Sequence, residues 1–218
     1  MLLLLCGAGG WAYWTPVAAI SLDINPSLEL RLNRFDQVIQ VVGFNESGQQ
    51  AAGGMHLRFS NYADAVRQIL SDEQIQPYLT EDSAISITVA SPNEAKNQEM
   101  LTQLSACAAE YGNVYCCATN WEQTAQAHDA GMSFGKYQAF LELQALAPQV
   151  TPEQVQGLTM RQIRDWIGQL SGDAQQAPAG QGQGYGSGAG AGGSSGAGQG
   201  YGPHKNGNGG GGNAGQGS

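Results

Sequence analysis

Apolar and polar positions divide the chain into stretches of different rhythm. Residues 1–20 are apolar almost throughout, and the first charged side chain is Asp23. The pattern changes at Asn25-Pro26. Before that bond, Ser21 to Ile24 reads as a short strand. After it, Leu28, Leu30 and Leu32 alternate with Glu29, Arg31 and Asn33, the period of two of a strand with one buried face. Asn33-Arg34-Phe35-Asp36 supplies a tight connection. Val38-Ile39-Gln40-Val41-Val42-Gly43-Phe44 follows as a more deeply buried strand, ended by the turn residues Asn45-Glu46-Ser47-Gly48. Connections this short favour an antiparallel meander.

Helical spacing then takes over. Tyr62, Val66, Ile69 and Leu70 share one face of a helix that Ser60 or Asn61 can cap. Ile85 to Val89 alternates as a strand and runs into Ser91-Pro92-Asn93-Glu94, which reads as a helix start with Ser91 as the cap. Met100, Leu101, Leu104, Ala108 and Tyr111 continue that helix to Gly112, and Val114-Tyr115-Cys116-Cys117 makes a buried strand. Strand, helix, strand over this length is a βαβ unit with a parallel pair. Helices are further predicted from Trp121 to Ala130, from Ser133 through Leu146, and after Thr151-Pro152-Glu153-Gln154 and Thr159-Met160-Arg161-Gln162, two successive capping boxes. The expected fold class is α/β: a small mixed sheet, N-terminal antiparallel meander plus βαβ unit, packed with helices. The expected domain spans residues 21–170.

Composition marks off both ends. Charged residues are 12% of the chain against about 25% in ordinary soluble domains, and its 32 glycines are concentrated in residues 171–218. That tail of Gly, Ala, Gln, Ser and Asn has no apolar periodicity and is expected to be a disordered spacer. Residues 1–20 match the length of about 20 residues that a helix needs to cross a bilayer, with Trp11, Tyr13 and Trp14 late in the span, where an aromatic belt meets the headgroups. A signal peptide cleaved near Pro16-Val17-Ala18-Ala19 is the competing reading, against which stands the lack of any Lys or Arg before Arg31. The expectation is a single-pass membrane protein with membrane lipid as a partner; with no charged residue before the span, charge sets no orientation. A membrane segment at the first residue further implies that a cytoplasmic portion precedes it in a longer protein.

Charge narrows the partners. A net charge of -9, from 9 Lys+Arg against 18 Asp+Glu, argues against nucleic acid. Cys6, Cys107, Cys116 and Cys117 include no C-x-x-C pair, and His56, His128 and His204 are scattered, so no metal site is expected. Cys107 could pair with Cys116 or Cys117 outside the cell, but buried free thiols are the expected state. No cofactor fingerprint or nucleophile–base–acid set is legible, and no enzyme is expected beyond a single-turnover reaction of the chain on itself. His56 and His128 read as structural or surface residues.

That reaction is local to Asn25-Pro26. At most Asn-X bonds the following backbone N–H attacks the side-chain carbonyl, but proline has no N–H and closes this route. The route left is attack by the Asn25 amide nitrogen on its own main-chain carbonyl, forming a succinimide and expelling the Pro26 nitrogen. A fold that strains and positions this peptide accelerates the step. Asp23 and Ser27 are candidates to assist proton transfer. Taken by itself, Asn-Pro is a common turn starter, and most such bonds are inert.

The surrounding residues shift that balance. Ser21-Leu22-Asp23-Ile24-Asn25-Pro26-Ser27-Leu28-Glu29-Leu30, Asn33-Arg34-Phe35-Asp36-Gln37-Val38-Ile39, Asn45-Glu46-Ser47-Gly48 and the later Gly135-Lys136-Tyr137-Gln138 resemble the extracytoplasmic domain of anti-sigma-I factors, the RsgI family. The resemblance runs from about Ser21 to Ile167. It implies a membrane-anchored anti-sigma protein whose outer domain relays an envelope signal, with self-cleavage at the bond that is Asn25-Pro26 here and further cutting by membrane proteases. It implies a sigma-factor partner held only through a cytoplasmic domain absent from this sequence, and a cell-envelope ligand that no sensor module here identifies. The alternative is an envelope structural or binding module without cleavage; a secreted hydrolase finds no site.

Overall fold

The computed structural model describes residues 11–172. Five strands form one sheet: β1 (Ala18–Asp23), β2 (Ser27–Leu32), β3 (Val38–Gly43), β4 (Ile85–Ala90) and β5 (Val114–Thr119), in the order β3-β2-β1-β4-β5. The expected meander is present as antiparallel β1-β2-β3, and β4 and β5 are the parallel pair of the expected βαβ unit. The two join through an antiparallel β1-β4 ladder, which makes β1 the central strand.

Alternation along the strands gives the sheet two covered faces. Ile20, Leu22, Leu28, Leu30, Leu32, Ile85, Ile87 and Val89 point to one side, where α2 (Tyr62–Leu70) and α3 (Glu94–Cys107) supply Val66, Ile69, Met100 and Leu104 to a common core. The opposite side meets α4 (Trp121–Asp129), α5 (Phe134–Leu146) and α7 (Met160–Ser171), with the short α6 (Pro152–Gln156) between the last two. Phe134 packs there on Ala19 and Ala90. A sheet between two helical layers is the arrangement that buries both faces.

Several expectations are corrected. Ala18, Ala19 and Ile20, expected at the end of a transmembrane helix, lie buried in β1, because their apolar pattern fits the sheet centre. Trp11 to Trp14 form a helical turn, and among the described residues no helix is long and apolar enough to cross a membrane. Residues 1–10 and the tail from 173 onward fall outside the described residues, and with them the rest of the proposed span and the disordered-spacer expectation; the domain's last helix runs to Ser171, with Gly172 in the left-handed conformation behind it. Asn45 to Gly48 is the first turn of a helix, α1 (Glu46–Gly54), rather than a simple turn. That helix buries only Gly48 and Ala51 and leaves no apolar stripe for a sequence to reveal. The cap of α3 is Asn93, not Ser91: the Asn93 side chain accepts from Lys96 N–H, while the Ser91 hydroxyl donates to Asn93 O and Asn97 Oδ1. The caps Asn61, Ser133 and Thr159 and both Thr capping boxes stand as read. Cys107, Cys116 and Cys117 are free thiols.

Candidate functional site

Asn25 and Pro26 lie in the loop of the β1-β2 hairpin, closed by the Asp23–Ser27 pair and by a hydrogen bond from Ile24 N–H to Pro26 O (3.0 Å). Asn25 has φ 131°, in backbone space that essentially only glycine occupies. Holding a side-chain-bearing residue there costs on the order of 1–3 kcal/mol, so the surroundings must impose it. The Asn25 side chain is half-buried and Pro26 is buried.

What imposes it comes from a loop 20 residues away. Asn45 Nδ2 donates to Asn25 Oδ1 (3.0 Å). The oxygen of the same carboxamide accepts from Ser27 N–H (3.0 Å) and, as the cap of α1, from Gly48 N–H (2.8 Å). Phe44 N–H donates to Ser27 O (3.0 Å), so the main chain just past Pro26 is gripped on both sides. Gly48 completes the contact: a Cβ on it would lie 2.2 Å from Ser27 O. The β3-α1 connection is therefore a clamp on the hairpin, with Asn45 at its centre. An Asn three residues before a Gly is a weak signal by itself; only the fold brings Asn45 against Asn25.

The other two sequence candidates have different surroundings. Asp23 is buried at the N-terminus of α5, where Ser21 Oγ donates to Oδ2 (2.6 Å) and Ser133 Oγ to Oδ1 (2.5 Å). Gly135 lies so close that a Cβ would stand 2.2 Å from Asp23 Oδ2. Burial raises the Asp23 pKa; the Ser133, Ser21 and Ser27 hydroxyls and the Lys136 charge oppose that rise. Lys136 is itself buried, which lowers its pKa against the pull of Asp23, and its Nζ donates to Gln156 O and Leu158 O (3.1 and 2.8 Å). Ser27 meets the clamp through its backbone and Asp23 through its hydroxyl.

Two residues invisible as a site in the sequence complete the hairpin's support. Glu29, expected on the exposed face of β2, is buried because the start of α5 covers it: its carboxylate accepts from Phe134 N–H (2.9 Å), an N-terminal amide of that helix. His128 Nε2 lies 2.9 Å from the other Glu29 oxygen, and its ring stacks on Phe44 with centroids 5.1 Å apart. A chain of contacts thus runs from α4 through His128 to Phe44 and the clamp. Among the described residues no group of His, Cys, Asp and Glu could hold a metal ion.

Residues 17–142 match the family profile of the anti-sigma factor RsgI-like central domain, more than half of the chain and the whole of the clamped hairpin. The chain belongs to the RsgI-like anti-sigma factor family. It is 25% identical to the anti-sigma-I factor RsgI7 of Acetivibrio thermocellus over 162 residues, which cover 70% of this chain and 30% of that protein. It is 21% identical to the anti-sigma-I factor RsgI9 of the same organism over 175 residues, covering 74% of this chain and 24% of the relative. The chain therefore spans under a third of the curated relatives it matches. The RsgI-like family is one of regulators rather than enzymes.

Proposed function

We propose that this chain is the outer part of a membrane-anchored regulator of anti-sigma-I type, whose Asn25-Pro26 bond is cut by the chain itself. One observation carries the cleavage: a non-glycine residue at φ 131° with its carboxamide fixed by Asn45, immediately before a proline. In the step, the Asn25 Nδ2 lone pair attacks the Asn25 carbonyl carbon, and the nitrogen loses a proton. The C–N bond to Pro26 breaks. Residue 25 ends one fragment as a succinimide, and the Pro26 nitrogen takes up a proton as the secondary amine that begins the other. Relief of backbone strain and the fixed approach of the nucleophile both lower the barrier.

The cut would not by itself free the first fragment. β1 lies between β2 and β4 and is hydrogen-bonded to both. Its Ile20 and Leu22, with the following Ile24, are buried, and burial of side chains of this size is worth about 1.5–3 kcal/mol each. Separation requires pulling the central strand from the sheet, so the cleaved domain acts as a latch between the membrane side of the chain and whatever follows it. A sigma factor, the partner named by the relatives, would be held by a preceding cytoplasmic segment, and membrane proteases would act after the latch opens.

Intact mass and denaturing electrophoresis test the cleavage. Wild-type chain is expected as two fragments divided at Asn25-Pro26, and Asn25→Ala as one. Wild-type protein that remains a single species after folding overturns it and leaves an uncut envelope binding module.

A further inference from the structure

The end of the sheet opposite the Asn25-Pro26 hairpin carries a surface of a different kind. Val17 N–H bonds to Leu32 O, so the chain enters β1 beside the β2-β3 turn. The β2-β3 turn and the segment before α2 are joined there by the Gln37–Asn61 bridge and by the bond from Phe59 N–H to Val38 O. Three stretches far apart in sequence meet at this end, and each brings aromatic rings. Tyr13 lies 6.0 Å from both Phe35 and Phe59, and Trp14 lies 5.7 Å from both Tyr13 and Phe59, centroid to centroid. These rings are not a core. Trp11 is 70% exposed, Phe35 59%, Trp14 51% and Phe59 46%.

Phe35 and Phe59 sit in tight turns, each beside an exposed arginine, Arg34 and Arg58, and the Arg58 guanidinium lies 5.9 Å from the Trp14 ring centre. Phe59 has φ 69°, an uncommon conformation for a bulky residue, and it holds the ring at the surface. An acidic chain thus gathers cations around its one exposed aromatic cluster among the described residues.

We propose that this face docks on the interfacial layer of a phospholipid bilayer, with Phe35 and Phe59 seated alongside Trp11 and Trp14. Indole, phenol and phenyl rings rimmed by guanidinium groups suit the boundary between headgroup and acyl chain, where rings partition and arginines meet phosphates. The ten residues leading into Trp11 carry no charge and include four consecutive leucines, so the chain reaches this face from an apolar segment. The proposal rests on the membrane-anchored reading and adds to it an orientation: the domain lies with its β2-β3 turn against the lipid. The hairpin that carries Asn25 then stands at the far end of β1, about 20 Å away for a strand of six residues.

The full chain, with Phe59→Trp or Phe35→Trp introduced singly, tests this in phosphatidylcholine–phosphatidylglycerol vesicles made with and without brominated acyl chains. Tyr78→Trp, beyond the C-terminal end of α2, is the control. Bromine is expected to remove most of the emission added at 59 and at 35 and little of that added at 78. Flotation of the same samples reports membrane association separately. A chain that floats while the added emission stays accessible to aqueous acrylamide overturns the docked face and leaves the anchor intact. Protection from both bromine and acrylamide also overturns it, in favour of cover by residues 1–10 or by a second copy of the chain. A chain that does not float overturns both. None of these outcomes depends on the Asn25-Pro26 bond being cut.

Discussion

Asn45 offers the sharpest test of the clamp, because two substitutions separate its structural and chemical parts. Asn45→Ala removes the cap of α1, a loss of about 1 kcal/mol. It also removes the bonds to Ser27 N–H and Asn25 Oδ1, each worth roughly 0.5–1.5 kcal/mol. The sum is on the order of 2–4 kcal/mol, with the lower end favoured because one side chain makes all three contacts. Asn45→Asp is nearly isosteric and is also a good cap. Its oxygens can still accept from Ser27 and Gly48, but it cannot donate to Asn25 Oδ1 and sets a carboxylate oxygen against that carbonyl. Its cost in stability is expected to stay near 1 kcal/mol, while loss of the fixed carboxamide should slow cleavage about 10–100-fold. The assay is the time course of fragment appearance, by intact mass after dilution from denaturant, read beside urea unfolding of each variant with Asn25 retained. Asn45→Asp cleaving at the wild-type rate while folded would refute the role given to this donor. Uncut wild-type protein would refute the cleavage itself.

Other expectations follow from the α5 face. Gly135→Ala would drive a methyl to 2.2 Å from Asp23 Oδ2 and 3.0 Å from Ser21 Oγ, and the overpacking should cost about 1–3 kcal/mol in urea unfolding; an unchanged midpoint would contradict this contact. For Asp23, burial raises the folded pKa above 3.8, so the folded chain holds a proton that the unfolded chain has released. The stability tied to that proton is complete below 3.8 and is lost as pH rises through the folded value. The stability of wild-type protein relative to Asp23→Asn is therefore expected to fall as pH rises above 3.8, measured by parallel denaturant titrations; a difference that grows with pH would reverse the assignment.

The clamp also explains why a hairpin can be read and its function cannot. The alternation of Leu28, Leu30 and Leu32, the Asn33 turn and the capping boxes at Thr151 and Thr159 are local: each depends on residues within one turn or one strand, so the sequence carries the whole signal. The βαβ unit follows from similar periodicities. The α1 helix carries no such local signal, because its buried residues are only Gly48 and Ala51, and Gly48 serves close approach rather than apolar burial. Glu29 is buried on the polar face of β2 for a related reason. A polar residue at every second position marks a face, but whether water or a helix N-terminus meets that face depends on residues 105 positions away.

By itself, then, the sequence determined the α/β class, the hairpin at Asn25-Pro26, most helix starts and, through its motifs, the family. Tertiary structure alone decided that β1 is the central strand, that Asn45 holds Asn25 at φ 131°, and that Phe35 and Phe59 join the N-terminal aromatics on one surface. The physical reason is the same in each case. Periodicity and capping are set by neighbours in the chain, whereas strain, clamping and surface composition come from contacts between distant segments, which no local pattern encodes.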